Sequence, residues 1–192
     1  MTRCRLLAAC LLVACFASTA AAQGFISPFA ATTLSSPSSI GSSTKPGFGI
    51  ALGGIGGFFG EEIEFAYYPQ LLDNSANALS QNKVVTFSGN TLIGPKIGPV
   101  KVYGAFGVGD LHLNVTSASS LLIPNPQSIS NNYFTFNVGG GVFALLGAHL
   151  GVRGDLRYYR AFGFNASDIQ AGTLTLSHFD FWRAAGGLVV TF

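Results

Sequence analysis

The chain has 192 residues, of which 9% are charged and 48% are hydrophobic, with ten Lys and Arg against eight Asp and Glu. So few charges exclude an ordinary soluble domain, in which about 25% of residues are charged. The near balance of charge, without a basic stripe, also excludes a nucleic-acid-binding protein.

The N-terminal segment 1–22 has the pattern of a secretory signal peptide. Arg3 and Arg5 precede an apolar run over 6–17, which is too short to span a bilayer, since a spanning helix needs about 20 apolar residues. Small residues before and at Ala22 favour cleavage after Ala22, which leaves a domain of residues 23–192. The alternative is lipidation at Cys15, because residues 12–15 resemble a lipobox.

All three cysteines, Cys4, Cys10 and Cys15, lie in this leader. Cleavage after Ala22 therefore leaves a domain that has no disulfide, no thiolate metal site and no cysteine nucleophile. It also removes two of the ten basic residues, so the remaining formal charge is close to zero.

The rest of the chain alternates between strand-like segments and connections of two kinds. Long polar connections, over 34–45, 69–82, 116–130 and 162–176, alternate with tight turns near 56–57, 96–98 and 145–148. Short periplasmic turns and long external loops are typical of outer-membrane barrels, and an even strand number places both termini on the periplasmic side. We predict eight strands, at 24–33, 46–55, 57–68, 83–95, 99–115, 131–144, 149–161 and 177–192.

A closed antiparallel barrel also reconciles the high apolar content with the lack of long apolar runs after the leader. In hydrocarbon every backbone polar group must be paired within the protein, and a closed sheet meets this requirement. Alternate residues then face lipid, so the apolar surface is dispersed along the chain. The sequence therefore predicts an all-β, eight-stranded, up-and-down transmembrane barrel.

The last predicted strand ends on an aromatic residue. Trp182, Leu188, Val190 and Phe192 share one face, and Arg183 lies on the other. A terminal aromatic that closes an alternating strand resembles the C-terminal signal read by the outer-membrane assembly machinery. We therefore expect Phe192 to be the assembly signal.

Alternation also assigns the scarce charges to the lumen. If the apolar faces of their strands meet lipid, six charged residues point inward: Glu62, Glu64, Arg153, Asp155, Arg157 and Arg183. A register slipped by one residue would place them in lipid, at a cost of about 2–4 kcal/mol for each Arg near the midplane. The lumen of an eight-stranded barrel is just wide enough for side chains to fill, so we expect these groups to pair. A gate or a catalytic carboxylate is the alternative function for this cluster.

Several segments together resemble a known family: 60–65 (GEEIEF), 102–109 (VYGAFGVG), 137–142 (NVGGGV), 151–159 (GVRGDLRYY) and the terminal strand. In order and spacing they are similar to the small outer-membrane barrels of the OmpA/OmpX type, the outer membrane protein β-barrel domain family. The resemblance covers 24–192, and no peptidoglycan-binding domain follows it, so cell-wall anchoring is not implied.

The sequence leaves three functions open. The first is a non-enzymatic integral barrel of the bacterial outer membrane, with a structural or surface-interaction role and a charge-plugged lumen. The second is a narrow conduit for small or apolar solutes. The third is a lipid-modifying enzyme, suggested by Ser177, His178 and Asp180, although neighbouring strand residues point to opposite faces.

We expect no cofactor and no metal, because His112, His149 and His178 lack metal-site spacing. The expected partners are outer-membrane lipid, lipopolysaccharide and the barrel assembly machinery. We expect a monomer, because a closed barrel has no free sheet edge.

Overall fold

The computed structural model describes residues 23–34, 44–69, 71, 79–117, 128–162 and 179–192. Those residues form strands joined by turns, and no helix among them has the length and apolar character to cross a membrane. The predicted signal peptide, residues 1–22, lies outside the described residues.

In the described residues the strands follow one another as β1 (Gln23–Leu34), β2 (Lys45–Ile55), β3 (Phe59–Tyr68), β4 (Leu79–Ile93), β5 (Lys96–Ile97), β6 (Val100–Ser117), β7 (Ser128–Leu145), β8 (Leu150–Ala161) and β9 (Asp180–Thr191). Strand β5 has two residues and lies within the turn between β4 and β6. The other eight strands are long.

The eight long strands form a closed antiparallel barrel. Each pairs with its neighbour along the chain, β4 pairs with β6 across the turn, and β1 pairs with β9 to close the sheet. The predicted fold class is therefore confirmed. Most predicted strand ends are within three residues of the observed ones; β4 begins four residues earlier than predicted, and residues 177–178 of the last predicted strand lie outside the described residues.

Side chains alternate between the lumen and the outer surface with a period of two, as expected for strands. On β8 the side chains of Arg153, Asp155 and Arg157 are buried, whereas those of Val152 and Leu156 are exposed. The outer surface carries exposed apolar residues on all eight long strands. This is the distribution that a lipid-facing barrel requires.

The ends of the barrel differ in their connections. At one end the strands are joined by residues 56–58, 94–99 and 146–149, and both β1 and β9 have their outer termini there; we call it the short-turn end. Gly98 in the second of these turns has a φ of 60°, a left-handed conformation that favours glycine. The opposite end, where residues 35–44, 69–78, 118–127 and 162–179 connect the strands, is the long-connection end.

The first and last strands meet at the short-turn end. Gly24 and Phe192 exchange two backbone hydrogen bonds, with N···O distances of 3.1 and 3.0 Å. The Gln23 side chain donates to Thr191 Oγ1 at 2.9 Å. Backbone pairing between the two ends of the described sequence therefore closes the barrel.

The barrel surface predicts a position-dependent cost for charge. Leu156 lies in the middle of β8 and Leu150 at its short-turn end, and both side chains face outward. We expect Leu156→Arg to lower the free energy of unfolding by about 2–4 kcal/mol and Leu150→Arg by about 0–1 kcal/mol. Urea unfolding in phospholipid vesicles, followed by the fluorescence of the single tryptophan, Trp182, measures both. Equal losses at the two positions would contradict the lipid-facing assignment.

Candidate functional site

The candidate site is the charge cluster in the lumen. Glu62 and Glu64 on β3 face Arg153, Asp155 and Arg157 on β8, because β3 and β8 are four strands apart in a ring of eight. Arg183 on the neighbouring strand β9 completes the set. All six side chains are buried, and Arg157 and Arg183 are 0% exposed. The structure thus brings together every residue of the predicted lumen network.

Glu62 is held by two arginines. Arg153 Nη1 lies 2.8 Å from Glu62 Oε2, and Arg157 Nη2 lies 2.6 Å from Glu62 Oε1. Asn90 on β4 donates a third hydrogen bond to Oε1 at 3.2 Å. Charge-assisted bonds of this length are about twice as strong as neutral ones.

Glu64 has a similar arrangement one step closer to the long-connection end. Arg183 binds both of its oxygens, with Nη2 3.0 Å from Oε2 and Nη1 bonded to Oε1. The Tyr159 hydroxyl donates to Oε1 at 2.8 Å, and Arg157 Nη1 lies 3.6 Å from Oε2. The bidentate pair fixes the orientation of both side chains.

Asp155 joins the two glutamate sites. Arg153 Nη2 and Arg183 Nη2 each lie 2.8 Å from its carboxylate, and Arg157 Nε lies 3.3 Å from it. The three arginines and three carboxylates therefore form one connected network whose formal charges sum to zero. Buried charges are tolerated in proteins when they are paired in this way.

An aromatic layer covers the network on the side of the long connections. Tyr159 stacks on Phe181 with ring centroids 5.2 Å apart, and Tyr68 meets Phe181 edge-on at 5.7 Å. Phe179 packs against the same ring at 6.0 Å. All four rings are buried, so they separate the network from that end of the barrel.

A second layer lies on the short-turn side. Phe143 contacts Phe25 at 5.3 Å and Tyr103 at 5.0 Å between ring centroids, and the guanidinium of Arg153 lies over Phe143 at 4.9 Å. Below them, Lys101 is 1% exposed, and its ammonium donates to the carbonyl oxygens of Gly56 and Phe58 in the β2–β3 turn, at 3.0 and 3.2 Å, and of Phe59 at the start of β3, at 3.4 Å. The lumen is thus layered from one end to the other.

Sequence reasoning missed several of these groups. Lys101, Tyr103 and Asn90 share the lumen face of their strands, and this alternation was the signal that would have identified them. Asn137 donates to Asn90 at 2.7 Å across β6, where a side chain at Gly107 would collide with both amides. Glycine at this position therefore permits the contact.

The histidines lie away from the network. His149 is exposed at the short-turn end, where its Nδ1 is 3.0 Å from the carbonyl of Thr191. Ser177 and His178 lie outside the described residues, and Asp180 accepts a hydrogen bond from Tyr158 at 2.9 Å. Within the described part of the chain, no group of three or more His, Cys, Asp or Glu residues has a metal-binding arrangement.

His112 belongs to a small polar cluster on the outer face near the long-connection end. Its Nδ1 lies 2.6 Å from Asn132 Oδ1, and its Nε2 lies 3.4 Å from Ser130 Oγ. This contact was not predicted, because Ser130 and Asn132 lie in or beside a segment that we assigned to a loop.

The network predicts a large penalty for removing one charge. We expect Arg153→Ala to destabilise the barrel by about 3–5 kcal/mol, because Glu62 and Asp155 each lose a buried partner. Thermal unfolding in detergent micelles measures the change. Arg160→Ala, on the outer face of the same strand, is the matched control and should cost much less. Equal stability of Arg153→Ala and the unmodified protein would contradict an energetic role for the network.

Solved structures of small outer-membrane barrels have the same fold. The Neisserial surface protein A (NspA) aligns with a TM-score of 0.64 at 16% identity, over 88% of this chain and 97% of that chain. A major outer membrane protein from Thermus thermophilus gives a TM-score of 0.64 at 16% identity, and the alignment covers 90% of this chain and 100% of that chain. Ail, the attachment invasion locus protein of Yersinia pestis, gives a TM-score of 0.51 at 16% identity, and the alignment covers 88% of this chain and 98% of that chain.

The search of curated protein sequences gives no match. A family model, by contrast, matches residues 7–178, which is most of the chain, and its description is outer membrane protein beta-barrel domain. The closed sheet, its apolar outer face and its polar interior are the features of an outer-membrane barrel. The chain therefore belongs to the outer membrane protein β-barrel domain family, whose members are integral proteins of the bacterial outer membrane.

Proposed function

We propose that this protein is a non-conducting, non-enzymatic barrel of the outer membrane that acts through its long-connection end, which faces outward. The observation that carries the proposal is the filled lumen: the six-residue ion network lies between two layers of buried aromatic rings. In this proposal the network is an internal plug that holds the barrel together.

The contacts support a closed lumen because the network spans it. Glu62 and Glu64 reach from β3 to arginines on β8 and β9, so ion pairs cross the interior at its centre. An ion that passed would have to displace ion pairs whose side chains are at most 2% exposed. The interior of an eight-stranded barrel leaves no second path beside them.

The composition of the long connections supports a surface role with a neutral partner. Residues 35–44, 69–78, 118–127 and 162–179 contain no Lys or Arg and two acidic residues, Asp73 and Asp168. The structure of Ail holds the heparin analogue sucrose octasulfate, a polyanion. Without basic residues these connections have no charge complementarity to such a ligand, so we expect them to form hydrogen bonds through Ser, Asn and Thr.

The remaining parts of the proposal follow from this location. Export uses the predicted signal peptide 1–22, and the assembly machinery reads Phe192. Lipopolysaccharide and phospholipid surround the barrel, and the protein is a monomer because every long strand in the described barrel has a partner on both sides.

Planar-bilayer recordings test the closed lumen. We expect the purified barrel to show no discrete conductance steps. The double variant Glu64→Ala/Arg183→Ala removes a complete ion pair and leaves the other charges balanced, so it should raise conductance if the network is the barrier. Stable channel events in the unmodified protein would contradict the proposal and favour a conduit for small solutes.

The second candidate function is ester hydrolysis at the outer face, and the Ser130–His112–Asn132 cluster favours it. A serine beside a histidine whose other nitrogen is held by an amide is an arrangement used in nucleophilic catalysis. Against it, the Ser130–His112 distance of 3.4 Å is longer than a normal hydroxyl hydrogen bond, and Ser130 and Asn132 are exposed.

A fluorophosphonate probe separates the two functions, because it labels activated serines. We expect the folded barrel to remain unlabelled and the phospholipid and lipid A mass profiles to be unchanged on overexpression. Labelling that disappears in Ser130→Ala but persists in Ser128→Ala would overturn the non-enzymatic proposal.

A further inference from the structure

The pairing between β1 and β9 is interrupted at one place. Phe25 and Ile26 pair with Thr191 and Val190, and pairing resumes at Phe29 with Gly187. Ser27 and Pro28 have no β9 partner, although both pair normally with β2 on their other side. The interruption lies at the seam where the barrel closes.

Proline explains the interruption. Gly24 and Phe192 exchange two hydrogen bonds, and in an antiparallel ladder such pairs recur at every second residue, which places Pro28 opposite Leu188. Proline has no N–H to donate, so the carbonyl of Leu188 loses its ladder donor. In a membrane-spanning strand this loss is costly, because lipid supplies no substitute.

A shallow, open groove of about 590 Å³ lies on the outer surface at the same place. We call it the seam groove; its outer walls are formed by Pro28, Ala30, Val152, Gly186 and Leu188. Gly186 contributes no side chain there, and a Cβ built on it meets no heavy atom within 4 Å. The seam groove therefore combines a weakened ladder with a gap in the outer layer of side chains.

The seam groove is closed on the lumen side. Phe29 and Arg153, which also line it, are 6% and 5% exposed. Phe29 packs under the guanidinium of Arg183 at 5.1 Å, and Arg153 is held by Glu62 at 2.8 Å. An occupant can enter from the membrane but cannot continue into the lumen.

We propose that the seam groove binds one acyl chain of a phospholipid from the periplasmic leaflet. Val152 is two residues beyond the start of β8, and Leu188 is four residues before Phe192, so the groove lies in the short-turn half of the barrel. The choice of leaflet rests on the proposed function, in which the long-connection end faces outward and the short-turn end faces the periplasm. Its outer walls are apolar and carry no charge, which matches a hydrocarbon chain. The occupant is a single flexible chain, because the groove lies where the small residues Ala30 and Gly186 pair beside the projecting side chains of Val152 and Leu188, which are 39% and 63% exposed.

Two variants and a matched control test this site. Gly186→Leu fills the seam groove, and Pro28→Val restores the missing N–H and closes the ladder. Gly89→Leu is the control, since Gly89 is also an exposed strand glycine whose Cβ meets nothing within 4 Å, but it lies on β4, away from the seam. A change in gel mobility on boiling verifies that each variant is folded.

The measurement is native mass spectrometry of the delipidated barrel in detergent, titrated with palmitoyl-oleoyl phosphatidylethanolamine. We expect one phospholipid to bind before any further ones, with its apparent affinity reduced at least tenfold in Gly186→Leu and unchanged in Gly89→Leu. In Pro28→Val, hydrogen exchange of the peptide spanning 186–190 should slow and lipid binding should weaken.

Three results would overturn the proposal. Binding by Gly186→Leu equal to that of the unmodified protein would remove the groove as the site, and stepwise binding without a first preferred lipid would mean ordinary annular contact. A mass of two chains that is lost in Gly186→Leu would show that a second copy of the protein, and not an acyl chain, occupies the groove. Each result is independent of the conductance test of the closed lumen.

Discussion

The structure depends on the requirement that polar groups in hydrocarbon be paired within the protein. For the backbone, strands meet this requirement only in a closed sheet, in which every strand has two hydrogen-bonded neighbours. The pairing of β1 with β9 closes this sheet. For side chains, it sorts residues by face: on β8, Val152 and Leu156 meet lipid while Arg153 and Arg157 turn inward. The same requirement thus determines both the closure of the sheet and the location of its charges.

The inward charges then replace the hydrophobic core of a soluble protein. A buried ion pair need not be more stabilising than a packed apolar pair. It disfavours alternative arrangements of the strands more strongly, because a misplaced partner leaves a buried charge without compensation. Glu62 on β3 binds two arginines on the opposite strand, and Glu64 binds Arg183 on β9. These contacts join strands on opposite sides of the barrel directly, and they therefore favour the same stagger that the registers of the neighbouring strands define.

The sequence was sufficient for the strand number and the alternation, and the same period of two assigned six charged side chains to the inward face. The sequence did not show which arginine binds which carboxylate. Strand tilt displaces residues across the lumen, so Arg153 meets Glu62 and Arg183 meets Glu64, whereas the alternation in the sequence indicated only that these residues point inward. Alternation places Lys101 on the inward face, but its hydrogen-bond partners could not be predicted, because they are backbone carbonyl oxygens at the β2–β3 turn.

The hydrogen bonds between Gly24 and Phe192 have a consequence for how the protein folds. Seven of the eight long-strand pairings in the described barrel join consecutive long strands, so each can form as a hairpin with a short or moderate loop. The eighth pairing, between β1 and β9, joins residues at opposite ends of the domain. Its hydrogen bonds can form only after the other seven pairings have brought the two strands together. Closure is therefore the step of highest contact order, and a chain stalled before it would carry two unpaired edges into the membrane.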